Sequence, residues 1–472
     1  MDLDPLILSR LQFAWVVAFH ILLPAFTIGL ASFIAMLEGV HLVTKRQEFL
    51  RLSNFWVRIF AISFGMGVVS GIVMPFQLGT NWSRYSDHVG DVVSPLLGYE
   101  SLMAFFLEAT FLGILLFGRK LVPVWAHFGA AVMVAVGTLM SAFWILAVNS
   151  WMQTPQGFVV GPDGRFQPAD WLEIIFTPSL PYRLAHNVTG FYVTTAFVVL
   201  GVGAWLLHRG RGEREAKVMM GLAVAFLTIT VPLQMVLGDM HGLNTREHQP
   251  AKLAAMEGLW ETGRGVPASL FAIPDQEAET NLYEIAIPKL GSLYLTHSWD
   301  GEVQGLKAFP PEDRPPVAIV YFAFRIMVGM GILMLVVIGT CWVLAARGRL
   351  FEPGWHTRLL PWCMPMGFIA VIAGWTTTEV GRQPWTVYGH FRTADSVTPS
   401  LTGSDVLLSL LSYMVVYLIV FPAGVYFMAQ IVRRGPVVDT PQSGLLETVE
   451  ETPSGDFDPA AVALGRAPRA GN

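Results

Sequence analysis

Nine apolar runs of about 20 residues each, near 13–37, 56–78, 97–118, 124–148, 184–207, 218–238, 317–345, 359–378 and 405–431, limit this chain more than any other feature. At about 1.5 Å of rise per residue, each is long enough to cross a hydrocarbon layer of about 30 Å. Inside hydrocarbon, a helix is the single-segment structure that satisfies its own main-chain N–H and C=O groups. The chain is therefore expected to be an all-α integral membrane protein with nine transmembrane helices. Charged residues make up only 14% of it, against roughly 25% in soluble domains, and mean hydropathy is +0.52. A net charge of −5 gives no basic surplus of the kind that nucleic acid selects.

Basic residues fall unevenly between the runs. Lys45, Arg46 and Arg51, then Arg119 and Lys120, Arg209 to Lys217, Arg347 to Arg358, and Arg433 with Arg434 occupy alternate connections. The opposing short segments hold only scattered arginines: Arg10, Arg84, Arg165, Arg183, Arg382 and Arg392. By the positive-inside rule the N-terminus is periplasmic and the C-terminus cytoplasmic, as nine spans require. The first run lacks a basic leader and a small-residue cleavage site, so it is expected to stay in the mature protein. Cys341 and Cys363 are the only cysteines, which leaves no disulfide framework and no thiolate metal site.

One helical domain is expected over residues 1–434. It includes a large outer loop, 239–316, whose Lys252-Leu253-Ala254-Ala255-Met256-Glu257 reads as a short amphipathic helix. The Pro-, Gly- and acid-rich stretch 435–472 reads as a disordered cytoplasmic tail.

Polar groups inside the runs carry the functional signal, since ionisable side chains in hydrocarbon are costly and seldom face lipid. His20 lies in the first run. Glu100 and Glu108 share one face of the third at i and i+8, about 12 Å apart along an α-helix axis. Ser141 lies in the fourth run, His186 opens the fifth, and Arg325 and Met327 enter the seventh. The eighth ends in Trp375, Glu379 and Arg382. The topology places His20, Glu100, His186, Arg325, Met327, Glu379 and Arg382 in the outer half. Histidines, a methionine and carboxylates beside arginines suit haem: His/Met ligation gives a six-coordinate electron-transfer iron, and arginines neutralise propionates. A haem-free proton-coupled transporter would gather the same His, Glu and Arg types.

Several stretches point further: Ser9-Arg10-Leu11-Gln12-Phe13 with His20, Gly79-Thr80-Asn81-Trp82-Ser83, Met103 to Glu108, Asn149 to Pro155, Ile273-Pro274-Asp275-Gln276, Tyr321 to Met327, and Gly381-Arg382-Gln383-Pro384-Trp385. With these, the chain resembles subunit I of the cytochrome bd-type quinol oxidases from its start to the end of the ninth run. Trp151 to Phe158 resembles most the cyanide-insensitive branch, and the outer loop resembles the short form of the family's Q-loop.

The resemblance implies three haems: a low-spin haem b, a high-spin haem b, and haem d or a further haem b. His186 and Met327 match the axial ligands of the low-spin haem. His20 and Glu379 match ligands of the high-spin pair, and Glu100 a carboxylate beside it. Lys252 and Glu257 match quinol-oxidation residues, Arg325 and Arg382 propionate anchors, and Trp375 an aromatic between haems. Glu108 and Ser141 are expected to carry protons from the cytoplasm. Many relatives have Ser where this chain has Ala109. The resemblance further implies a bacterial inner-membrane enzyme that oxidises membrane quinol, ubiquinol or menaquinol, and reduces dioxygen without pumping. It also implies a second subunit in the assembly, and leaves accessory subunits open.

Overall fold

The computed structural model describes residues 4–436, apart from the side chains of residues 103 and 104. The tail expected from residue 435 thus lies, from residue 437 on, outside the described residues.

Fifteen helices follow one another: α1 (Pro5–Leu22), α2 (Pro24–Thr44), α3 (Gln47–Thr80), α4 (Ser83–Tyr99), α5 (Phe106–Phe117), α6 (Val124–Gln153), α7 (Trp171–Ile175), α8 (Leu180–His208), α9 (Glu213–His248), α10 (Pro250–Glu257), α11 (Leu290–Thr296), α12 (Val317–Ala346), α13 (Trp355–Leu359), α14 (Met366–Val380) and α15 (Gly403–Arg434). Among the described residues these supply nine helical stretches long and apolar enough to cross a membrane, one for each run in the sequence. The first is α1 and α2 together, joined at Leu23. Pro24 brings no N–H to that joint, and the Leu23 N–H instead reaches back three residues to the His20 carbonyl at 3.0 Å.

Three differences from the sequence reading matter for function. The first is a π turn, Glu100–Phe105, between α4 and α5. Glu100 and Glu108 were expected eight residues apart on one continuous α face; the wider turn breaks that phase. The second is that α9 continues to His248, ten residues beyond the apolar run. Loss of hydropathy marks where a membrane ends, not where a helix does, and Asp239 to His248 contains no proline, its single Gly242 being tolerated within the helix. The third is a hairpin in the outer loop, where Ala268–Asp275 pairs antiparallel with Thr280–Ile287, Ala268 opposite Ile287 and Asp275 opposite Thr280.

The main core fills the end of the bundle that bears the basic loops. Leu30, Ile34 and Leu37 of α2 pack with Leu52, Trp56 and Phe60 of α3, Val134 of α6, Phe197 and Leu200 of α8, and Met219, Met220 and Leu227 of α9. Buried charges at this end are paired. Glu38 of α2 bonds Arg119 and Ser53, and its other oxygen faces His127 Nδ1 at 3.4 Å. Arg51 meets Glu215 at 2.5 Å. Some of the basic residues in these loops are therefore also structural partners. Toward the opposite end the helices part around a large cavity.

Candidate haem and quinol site

The cavity measures about 1550 Å³, larger than the roughly 300–1,000 Å³ that houses a single small ligand. Every residue singled out from the sequence lines it: His20, Glu100, Glu108, Ser141, His186, Lys252, Glu257, Arg325, Met327, Trp375, Glu379 and Arg382. They arrive from α1, the π turn, α5, α6, α8, α10, α12, α14 and the residues after α14.

Three donors lie across glycines. A methyl group at Gly71 of α3 would stand 3.1 Å from His20 Cε1, one at Gly238 of α9 3.3 Å from His186 Cε1, and one at Gly374 of α14 2.8 Å from Met327 Sδ. These distances are below the 3.5–4.0 Å of an ordinary carbon contact, so the bare backbone makes the cradle in which each donor rests. His20 Nδ1 also meets Ser70 Oγ at 3.0 Å. His186 has its edge against Gln234 Nε2, which donates to the His186 carbonyl at 3.0 Å, and its ring packs edge-on to His241 with centroids 5.7 Å apart.

Glu379, in the last turn of α14, is the centre of a polar network. Its Oε1 accepts from Asn149 Nδ2 at 2.9 Å and from Gln153 Nε2 at 3.1 Å; its Oε2 accepts from Arg382 Nη2 at 2.5 Å. Separate roles were expected for Glu379 and Arg382, yet here they form one ion pair. Asn149 in turn accepts from Arg183 Nη1 at 3.2 Å. Lys252 Nζ donates to Gln153 Oε1 at 2.6 Å.

The other expected pair, Lys252 and Glu257, stands at the two ends of α10. Five residues turn a helix through about 500°, so the two side chains leave on different faces. Glu257 Oε2 accepts from Tyr294 Oη at 2.7 Å and from Arg325 Nη2 at 2.9 Å. The helix stops at Gly258, whose φ of +67° is the left-handed turn that suits glycine. Burial, with Arg183 and Arg382 close by, holds the Lys252 ammonium well below the usual lysine range, although Glu379 acts the other way. Burial and the Glu257 carboxylate push the Tyr294 hydroxyl above the usual tyrosine range.

Ser141 Oγ donates to Glu100 Oε1 at 2.9 Å, not to Glu108. Glu108 Oε1 is buried without a hydrogen-bond partner.

The residues fit haem. Among the described residues no group of three His, Cys, Asp or Glu side chains could hold a bare metal ion. The donors stand apart, as suits an iron already held in a porphyrin, which asks the protein for only one or two ligands. Two guanidinium Nε atoms, of Arg183 and Arg382, are buried without partners. Such orphaned cationic donors suit anionic carboxylates like propionates.

Sequence reasoning missed Arg183, Asn149, Gln153, Tyr294 and His241. Arg183 was counted only among the sparse outer arginines, yet its spacing of three from His186 places both on one helix face. Asn149 and Gln153, four apart, meet the same Glu379 oxygen. Tyr294 and His241 carried no local signal.

A sequence profile described as cytochrome bd terminal oxidase subunit I matches residues 8–436. The chain belongs to that family. It is similar to the cytochrome bd ubiquinol oxidase subunit 1 of Bacillus subtilis (strain 168), 37% identical over 446 residues, covering 92% of this chain and 94% of that one. The cytochrome bd-II ubiquinol oxidase subunit 1 of Escherichia coli (strain K12) is 33% identical over 500 residues, covering 92% and 97%. The solved structure of bd oxidase from Geobacillus thermodenitrificans superposes with a TM-score of 0.85 at 31% identity, covering 92% of this chain and all of that one. As a cytochrome bd subunit I, the chain is a multi-pass membrane protein of a bacterial respiratory terminal oxidase, and a haem protein of a multi-subunit enzyme.

Proposed function

We propose that this chain is the subunit in which membrane quinol is oxidised on the periplasmic side and dioxygen is reduced to water with cytoplasmic protons, so that a proton gradient arises without pumping. The observation that carries this reading is the single cavity onto which all of the donors, arginines and carboxylates open, with α10 spanning from the Glu379 network to Glu257. Bound haem supplies one-electron transfer and dioxygen chemistry. His186 and Met327, from α8 and α12, would hold the low-spin haem b. His20 and Glu379 would serve the two high-spin haems, one of them haem d or a further haem b. Arg183 and Arg382 are the arginines with donors to spare for propionates, whereas Arg325 is engaged by Glu257.

At the quinol site Glu257 accepts a proton and Lys252 orients a quinol oxygen. Tyr294 and Arg325 hold the Glu257 carboxylate in place, and the buried Lys252 offers a directional donor. On the dioxygen side Glu108, with Ser141 anchoring Glu100, passes cytoplasmic protons into the cavity; Ala109 offers no hydroxyl for that task. Trp375, beside Gly374 in the cavity wall, would be the aromatic that assists electron transfer between haems. This reading treats 1–434 as one haem-binding unit, with the short Q-loop at 239–316, the N-terminus periplasmic, and a second subunit as partner. The match to the E. coli relative runs over 500 residues and that to the Bacillus relative over 446, which supports an insertion absent from this chain. The Trp151 to Phe158 stretch supports the cyanide-insensitive branch.

The test is a reduced-minus-oxidised spectrum of the purified protein together with haem extraction. Stoichiometric haem with one low-spin and two high-spin signatures is expected; protein without stoichiometric haem would point to the proton-coupled transporter instead.

A further inference from the structure

Gln153 ends α6 and is fully buried, and the roles assigned so far do not use it. Its Oε1 accepts from Lys252 Nζ at 2.6 Å, and its Nε2 donates to Glu379 Oε1 at 3.1 Å. Its main-chain carbonyl accepts from Gln249 Nε2 at 3.0 Å, and Gln249 Oε1 accepts a second hydrogen bond from Lys252 Nζ at 2.5 Å. The partners dictate the amide orientation. An ammonium only donates and a carboxylate only accepts, so Oε1 must face Lys252 and Nε2 must face Glu379. A Glu at this position would set carboxylate against carboxylate, a Lys would set cation against cation, and an apolar side chain would leave both ends unmade. With an ion at each end, the amide is polarised in one direction, and each of its two bonds strengthens the other.

We propose that Gln153 is a positioning residue that transmits occupancy of the quinol site on α10 to the Glu379 carboxylate. The inference rests on the reading of Lys252 as a quinol contact and Glu379 as a haem ligand. A quinone oxygen that accepts a hydrogen bond from Lys252 Nζ competes with Gln153 Oε1. The amide then loses its polarising partner, its bond to Glu379 Oε1 weakens, and Glu379 depends more on Asn149 and Arg382. The donor strength of a ligating carboxylate follows its outer hydrogen bonds, so quinol occupancy is felt at that ligand without direct contact.

The experiment uses the purified oxidase with its partner subunits and measures the midpoint potential of the high-spin haems with and without a saturating redox-inert alkyl-hydroxyquinoline quinone analogue. In native enzyme the analogue shifts that potential. In Gln153→Met the haems are retained and the analogue still binds, but the shift is lost. Gln249→Met, which removes a Lys252 contact without touching Glu379, retains it. Should Gln153→Met not assemble, Gln153→Asn, one methylene shorter, keeps a polar amide but cannot span from Lys252 to Glu379 and must lose the shift as well. A shift that persists in Gln153→Met overturns the proposal, as does one absent from native enzyme or lost equally in Gln249→Met. Failure of the underlying reading looks different: Glu379→Gln would leave the high-spin spectrum unchanged with no analogue present, or the analogue would not bind native enzyme.

Discussion

A methionine in a membrane helix is ordinarily filler, and Met327 differs by what it lies against. Its sulfur rests on the bare backbone of Gly374, at a distance where a methyl group would be 2.8 Å away. Gly374→Ala should therefore displace the thioether and diminish the low-spin signal in the reduced spectrum, and Met327→Leu should abolish it while protein still accumulates in the membrane. An unaltered low-spin band in Met327→Leu would end the axial assignment. Lys252 permits a second prediction. Its folded-state pKa is depressed by burial, so the unfolded chain binds more protons than the folded one up to the ordinary lysine value near 10.4. Above its depressed folded-state value, the native protein should thus gain stability as pH rises toward 10. Lys252→Met lacks that term, and the gap in thermal midpoint between the two proteins should move in favour of the native chain over that range. A gap independent of pH would show that the ammonium carries no such cost.

Among the elements, α10 makes the clearest prediction, because its two poles have different anchors. Glu257 is held by Arg325 and Tyr294. Removing one partner of a buried pair costs about 3 kcal/mol or more, since the other charge is left behind. Arg325→Leu should destabilise the outer loop by that order, read as faster proteolysis between α9 and α12. The double variant Arg325→Leu/Glu257→Leu should recover much of the loss. Glu257→Ala alone should depress quinol oxidation while chemically reduced haems still react with dioxygen; loss of both reactions would mean structural damage instead. The short helix itself was legible in Lys252 to Glu257, and so were the membrane helices. The π turn at Glu100–Phe105 was not, because nothing in the local pattern of that run distinguishes one extra residue per turn from an α-helix. The hairpin over 268–287 was missed for a related reason: the large outer loop was read from its Pro, Gly and charge content, and its strands pair residues up to 19 apart.

For the whole molecule, the division between a packed end and a hollow end follows from where the large apolar side chains and the glycines fall. The end with basic loops is filled by Trp56, Phe60, Phe197 and their neighbours, while the other end is lined by residues that cradle donors. Hydropathy alone determined the number of membrane helices, since the cost of an unsatisfied backbone in hydrocarbon leaves an apolar run of about 20 residues no single-segment alternative to a helix. The residue types in those helices also determined that ionisable groups would have to meet away from lipid. Which group meets which was decided by the tertiary structure alone: Glu379 with Arg382, Asn149 and Gln153, Glu257 with Arg325 and Tyr294, Glu100 with Ser141. The physical reason is one of range. Burial costs are properties of single residues and can be read along a chain, whereas a hydrogen bond depends on a few tenths of an ångström between atoms that packing brings together from distant helices, 230 residues apart for Asn149 and Glu379.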